Sequence, residues 1–169
     1  MKTTFFLATI QVGLGTDVSG GFSPSILTTI QHASIASKVL SLSAQTNRPD
    51  SNGAKVHSPA HRQLYPCTLL YLATLGGAGV CCLEDKVGNF VMGKEFDAII
   101  VDLGKACGNP TVWYNPEDDL ETLVARFLFG GDDRNIEEVY VCGRLIGGTS
   151  FRAEQESTRH TNANAIARL

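Results

Sequence analysis

The segment Gly13-Leu-Gly-Thr-Asp17 decides the fold, because its acidic residue follows an apolar stretch and precedes a glycine-rich loop. Residues Phe5 to Leu14 are almost continuously apolar, which predicts a buried strand of the kind found inside parallel sheets. Gly20-Gly21 lies in the loop, and Ser23-Pro24 then favours a helix start, with Ser as N-cap and Pro at the first helical position. This order predicts one strand–loop–helix unit of an α/β fold.

Helical and extended patterns follow one another along the rest of the chain. Apolar residues at helical spacing predict one packed face of the first helix, formed by Ile26, Ile30, Ala33, Ala36 and Leu40. A second helix is predicted around Cys67 to Thr74, interrupted or ended by Gly76-Gly77. The later segments are predicted as extended at Asn89–Gly93 and Asp97–Asp102, helical at Pro116–Phe129, and extended again at Glu138–Gly143.

Two polar stretches interrupt this pattern. Residues 44 to 62 have no hydrophobic period and contain turn-forming residues, so we expect a polar insertion there. Residues 151 to 169 are rich in Thr, Asn, Ala and Arg, and we expect a disordered tail. The predicted division is therefore residues 1–80, with the strand and helices, residues 81–150, with short strands and one helix, and the tail.

Composition limits the possible partners. The chain has 169 residues, 43% of them hydrophobic and 18% charged, which is typical of a globular protein with a buried core. The net charge of −3 gives no basic surface for nucleic acid or anionic lipid. No apolar run approaches the roughly 18 residues of a membrane span. Residues 1–10 resemble the start of a signal peptide, but no small-x-small cleavage site follows, which favours a buried strand or an unnatural N-terminus.

The five cysteines form no C-x-x-C pair and are odd in number, so the sequence predicts neither a structural zinc site nor a redox dithiol. Adjacent Cys81 and Cys82 are expected as small apolar residues of a core. Free cysteines fit a reducing compartment, and we expect a cytoplasmic protein.

Asp17 is the candidate with most chemical interest. A carboxylate at the end of an apolar strand lies where α/β folds place their active sites, and it can bind a metal or take a proton from metal-bound water. On spacing alone, a plain turn cap is the stronger interpretation. His57 and His61 are four residues apart, a metal-ligand spacing on a helix, but Pro59 between them favours a solvated loop.

Four pairs of neighbouring acids could also serve acid–base chemistry, and each lies in polar turn or helix-start sequence. Helix caps and solvated faces are therefore expected for Glu84-Asp85, Asp118-Asp119, Asp132-Asp133 and Glu137-Glu138.

Several segments together resemble a known family. The segment from Gly13 to Gly21 resembles the end of the eighth barrel strand of amidohydrolase-superfamily deaminases, and Tyr71–Ala78 resembles the helix that follows. Residues Val87 to Val101 are similar to the return of that chain into a small β subdomain. The segment Gly130-Gly-Asp-Asp-Arg-Asn-Ile-Glu-Glu-Val-Tyr-Val-Cys-Gly-Arg144 resembles the closing part of guanine deaminases in particular.

The resemblance implies the C-terminal portion of a metal-dependent (β/α)8 barrel, namely its last strand–helix unit, with part of a small β-sandwich subdomain. It implies hydrolytic deamination of guanine to xanthine and ammonia by a metal-bound hydroxide, with zinc as the usual metal. Asp17 takes the position that binds this metal and handles the proton of the attacking water. The implied partner is a small purine, with a homodimer allowed for the complete enzyme.

The family's other metal ligands have no counterpart in this sequence, which contains no His-x-His. A barrel needs about 250 residues, and a catalytic zinc usually takes three protein ligands. The chain alone is therefore expected to be an inactive fragment. Two alternatives stay open: a non-catalytic product that packs against a partner through apolar edges, and an amidohydrolase for another aminopurine or a triazine-like ring.

Overall fold

A computed structural model describes residues 10–45, 63–153 and 155. Within these residues the principal helices and strands follow one another as α1 (Ile26–Gln45), α2 (Pro66–Ala73), α3 (Leu75–Val80), β1 (Ala98–Val101), α4 (Leu120–Gly130), β2 (Ile136–Val141) and β3 (Arg144–Gly147). Short 3-10 turns lie at Lys105–Cys107 and Asp133–Asn135. Helix and strand are thus mixed within the described chain.

The core lies where α1, α2 and α4 meet. Ile30, Leu69 and Leu128, one from each helix, form the buried cluster. Leu69 is completely inaccessible to solvent and Leu128 is 2% exposed. Burial of side chains of this size contributes roughly 1.5–3 kcal/mol each, so these three residues hold the helices together.

The buried face of α1 is more polar than the sequence pattern predicts. Ser34 and Ser37 are buried in line with Ile30, whereas Ala36 and Leu40 of the predicted apolar face are exposed. The Ser37 hydroxyl donates to the Ser34 carbonyl at 2.8 Å and accepts from the Leu64 backbone N–H at 3.2 Å. These bonds satisfy the buried hydroxyl, so a serine can lie where the pattern favours an apolar side chain.

Two helix starts lie further along the chain than predicted. Helix α1 begins after Ser25, whose Oγ accepts from the Thr28 N–H at 3.4 Å, so Ser25 rather than Ser23 has the capping position. Helix α4 begins at Leu120, four residues after Pro116. Its N-cap is Asp119, whose side chain accepts from the Thr122 N–H. In each case a side chain that follows the proline, Ser25 or Asp119, accepts from a backbone N–H of the first turn, and the helix begins after that side chain and not at the proline.

Gly76-Gly77 does not end the second helix as predicted. Thr74 separates α2 from α3, and both glycines lie inside α3. Cys81 and Cys82, which follow α3, are exposed rather than part of a core, because the described chain places no layer over them.

The three strands form one antiparallel sheet in the order β1-β2-β3. Ala98 pairs with Tyr140 and Val139 with Gly147, with an irregularity in each ladder. The predicted strand at Asn89–Gly93 is wrong, since these residues form turns and irregular chain without ladder partners. The described residues form one layer of sheet with three strands, and they do not form the second layer that a sandwich requires.

The predicted strand from Phe5 to Leu14 is described only from residue 10, and residues 10–14 have no strand assignment. A strand is defined by hydrogen-bonded neighbouring strands, and the sheet of the described residues contains only β1, β2 and β3. The described part of the predicted strand–helix unit is an irregular segment followed by α1.

Some expectations lie outside the described residues. These are His57 and His61, most of the insertion at 44–62, and the tail beyond residue 155. Residues 149–153, which the prediction assigns partly to the tail, are helical. No helix in the described part of the chain is long and apolar enough to cross a membrane.

Candidate functional site

Asp17 lies on the exposed loop between the 10–14 segment and α1. Its backbone has a left-handed φ of 49°, a conformation that Asp tolerates better than most residues. Its carbonyl accepts from the Gly21 N–H at 2.5 Å, which folds the loop back on itself. Gly21 must lack a side chain here, because a Cβ would overlap the Thr16 carbonyl oxygen. The loop thus presents the Asp17 carboxylate to solvent.

The segment before Asp17 packs directly on the α2–α3 junction. The Leu14 N–H donates to the Leu72 carbonyl at 2.9 Å, which fixes the register of the segment against α2. Gly13 lies against α3, where a Cβ on Gly13 would come within 2.7 Å of the Gly77 Cα. The sequence pattern places Gly13 near the end of the predicted strand and Gly77 at a helix interruption, and it does not predict that the two touch.

Asp17 belongs to no group of three or more potential metal ligands among the described residues. A zinc site needs several His, Cys, Asp or Glu donors close together. The donor chemistry of a carboxylate fits a metal, but this part of the chain supplies one ligand rather than a complete set.

A group of potential metal ligands that the sequence did not predict lies at one end of the sheet, beside the β2–β3 turn. Donor atoms of Glu95, Asp97 and Cys142 lie within 4.8 Å of one another, all exposed. The Cys142 thiol donates to Glu95 Oε2 at 2.9 Å, and its N–H donates to Asp97 Oδ1 at 2.8 Å. The bond to Glu95 raises the pKa of the Cys142 thiol, because the carboxylate disfavours a nearby thiolate. These bonds close the β2–β3 hairpin against the loop before β1, a structural role.

Two of the acidic pairs supply helix caps, as predicted. Asp119 caps α4, and Asp132 caps the turn at Asp133–Asn135 in a capping box. Asp118 instead pairs with Arg126 of α4, whose Nη2 donates to Oδ1 at 3.2 Å. The same guanidinium lies 4.0 Å from the centre of the Trp113 ring, so α4 is tied to the preceding loop. These acids stabilise local structure.

The Gly-Asp-Asp-Arg-Asn segment that points to guanine deaminases is a folding element in this structure. Asn135 is fully buried, and its side chain donates to the Asp102 carbonyl at 2.8 Å and to Cys107 Sγ at 3.2 Å. Its Oδ1 accepts from Asn109 Nδ2 at 2.7 Å and from the Asp132 N–H at 3.1 Å. One side chain therefore joins the start of β2 to the loop after β1.

Comparison with known proteins gives one consistent result. A model of the amidohydrolase family matches residues 7–146. The chain is 41% identical over 154 residues to a probable guanine deaminase of Schizosaccharomyces pombe, covering 90% of this chain and 27% of that protein. It is 39% identical over 140 residues to human guanine deaminase, and this match covers 81% of this chain and 28% of the human protein.

A solved structure supports the same relationship. Guanine deaminase from C. acetobutylicum, with guanine bound in its active site, superposes with a TM-score of 0.55 at 30% identity. The match covers 82% of this chain and 27% of that one. The chain thus spans little more than a quarter of the relatives that it matches.

Proposed function

This chain belongs to the amidohydrolase family, and from that premise we propose that it is the C-terminal part of an enzyme that deaminates guanine. The supporting observation is the match along residues 7–146 together with 39–41% identity to guanine deaminases. The reaction is hydrolytic: guanine and water give xanthine and ammonia. In this proposal the 10–14 segment is the last strand of a (β/α)8 barrel and α1 is its helix.

Asp17 would hold the metal and accept a proton at its carboxylate. Barrel enzymes place catalytic groups where a strand meets the following loop. In this proposal the 10–14 segment takes the place of that strand, and Asp17 follows it, exposed and with a left-handed backbone. Zinc, the metal that the family resemblance favours, would supply a water whose pKa falls from about 16 towards 7. A neighbouring carboxylate is a suitable acceptor for the released proton.

In this proposal the remaining metal ligands are supplied by the part of the enzyme that precedes this segment. Catalytic zinc usually has three protein ligands, and Asp17 belongs to no group of three or more potential ligands among the described residues. The chain alone is therefore inactive in this proposal, and a purine pocket forms only when the other barrel strands are present. We further propose that the complete enzyme acts in purine breakdown in the cytoplasm and forms a homodimer.

A hybrid enzyme tests the proposed function. This chain replaces the matching 28% of human guanine deaminase, and the purified, zinc-loaded hybrid is incubated with guanine. We expect xanthine from the hybrid and none above the metal-free control from the 169-residue chain alone. Adenine and a diamino-triazine test the other ring classes. A folded, zinc-containing hybrid that leaves guanine intact would contradict the proposal, and so would xanthine formation by the chain alone.

A further inference from the structure

The Asp17-bearing segment touches α3 through backbone atoms on both sides of the contact. A Cβ on Gly13 would lie 2.7 Å from the Gly77 Cα and 3.1 Å from its nitrogen. From the other side, a Cβ on Gly76 would lie 3.0 Å from the Val12 carbonyl oxygen and 3.1 Å from that of Tyr71. Because all of these are backbone atoms, no side-chain rotation can relieve the overlap.

The requirement for glycine is confined to particular positions. A Cβ on Gly15, two residues after Gly13, would meet nothing within 4 Å. On α3, a Cβ on Gly77 would meet only the Leu72 carbonyl oxygen, at 3.5 Å, which is ordinary contact. Alanine is also favoured over glycine in a helix by roughly 1 kcal/mol. The chain therefore provides a matched control beside each restricted glycine.

We propose that Gly13 is a positioning residue for Asp17, with Gly76 as its counterpart on α3. This inference rests on the proposed function, in which Asp17 binds the metal. The Leu14–Leu72 hydrogen bond holds the segment one residue after the contact, and Asp17 follows three residues later. The distance between the backbones of Gly13 and Gly77 therefore sets where the Asp17 loop begins.

The expected displacement is large for a metal ligand. A Cβ at 2.7 Å has to retreat by about 0.7 Å to reach the 3.4 Å of ordinary contact. Metal–ligand distances tolerate only about 0.2 Å, and a misplacement of about 1 Å in an active site costs about a hundredfold in rate. We expect Gly13→Ala to lower kcat by about ten- to a hundredfold, with a smaller change in KM.

The test compares Gly13→Ala with Gly15→Ala in the hybrid enzyme. Each variant is loaded with Co²⁺ in place of Zn²⁺, and the visible absorption spectrum is measured beside kcat, KM and the thermal midpoint. Gly13→Ala should change the cobalt spectrum and lower kcat while the protein stays folded, and Gly15→Ala should leave the spectrum unchanged. Gly76→Ala, compared with Gly77→Ala, is the second pair and should give the same contrast.

The outcomes separate this inference from the proposed function. If the unmutated hybrid does not deaminate guanine, the proposed function fails and the positioning role fails with it. If it is active and both restricted-glycine variants match their controls in spectrum and kcat, the positioning role alone is contradicted. Variants that lose thermal stability but keep an unchanged spectrum and kcat would show a purely structural contact, which also contradicts it.

Discussion

The Asn109 side-chain amide donates a 2.7 Å hydrogen bond to Asn135 Oδ1 inside the protein, where both residues are buried. Asn109 Nδ2 also donates to the Gly130 carbonyl at the end of α4, so the pair connects the loop after β1 with both ends of the α4–β2 connection. Buried amides that satisfy one another in this way fix a unique loop arrangement.

Replacing Asn135 with alanine should destabilise the protein by about 3 kcal/mol, because it leaves the Asn109 amide and the Asp102 carbonyl short of buried partners. Urea unfolding of the purified chain measures the change in the free energy of unfolding. The exposed Asn115→Ala variant is the control and should change it by no more than about 0.5 kcal/mol. Equal effects of the two substitutions would show that the buried network contributes nothing.

The cap of α4 should make stability depend on pH in the acidic range. The side chain and backbone N–H of Thr122 hold the pKa of Asp119 below its ordinary value of 3.8. A lowered folded-state pKa stabilises the protein above the unfolded value, and this contribution is lost as the pH falls through the folded value. The urea midpoint of Asp119→Ala should therefore lie below that of the unmutated chain at pH 7.

This difference should shrink as the pH falls below 3.8, the ordinary value. The neighbouring Glu117→Ala variant controls for a general loss of negative charge. The measurement extends down to pH 2.5, about one unit below the ordinary carboxyl range. If the difference in urea midpoint between the Asp119 variant and the unmutated chain stays constant down to that pH, the Asp119 cap is not the cause of the difference.

Cys142 should react slowly with iodoacetamide despite its exposure, because the hydrogen bond to Glu95 raises the pKa of its thiol. Thiolate is the nucleophile, so Glu95→Gln should accelerate alkylation of Cys142 severalfold at pH 8. Peptide mass spectrometry follows each cysteine separately, and Cys81 in the same molecule is the internal control. An unchanged ratio of the two rates would contradict the Glu95 interaction.

The sequence allowed prediction of elements whose signals are local. The strand Ile136–Val141 and the helix Leu120–Gly130 were placed to within a few residues, because their residue preferences and acidic first turn act within one element. The observed N-cap differs from the predicted one where two side chains can accept from nearby backbone N–H groups. Before α1, Ser23 accepts from the Ser25 N–H and Ser25 accepts from the Thr28 N–H, and Ser25 is the N-cap. Local chemistry of this kind is visible without tertiary information.

The rest depends on contacts between distant segments. Nothing near Gly13 in the sequence indicates that Gly77 will lie against it, and nothing near Asn135 indicates Asn109 as its partner. Exposure of Cys81 and Cys82 likewise depends on which layers surround α3. The role of Asp17 came from family resemblance, because a lone carboxylate after a strand has the same local pattern as a turn cap.

The most direct measurement is the rate of xanthine formation by hybrids that carry either Asp17→Asn or Asp85→Asn. Asp85 is also an exposed aspartate, on a different loop, so its substitution controls for the loss of one negative charge. We expect Asp17→Asn to lower kcat at least a thousandfold and to reduce bound zinc, and Asp85→Asn to retain near-full activity. Asn is a weaker metal ligand and cannot accept the proton, which is the reason for the loss. An Asp17→Asn hybrid that deaminates guanine as fast as the Asp85→Asn hybrid would contradict the account.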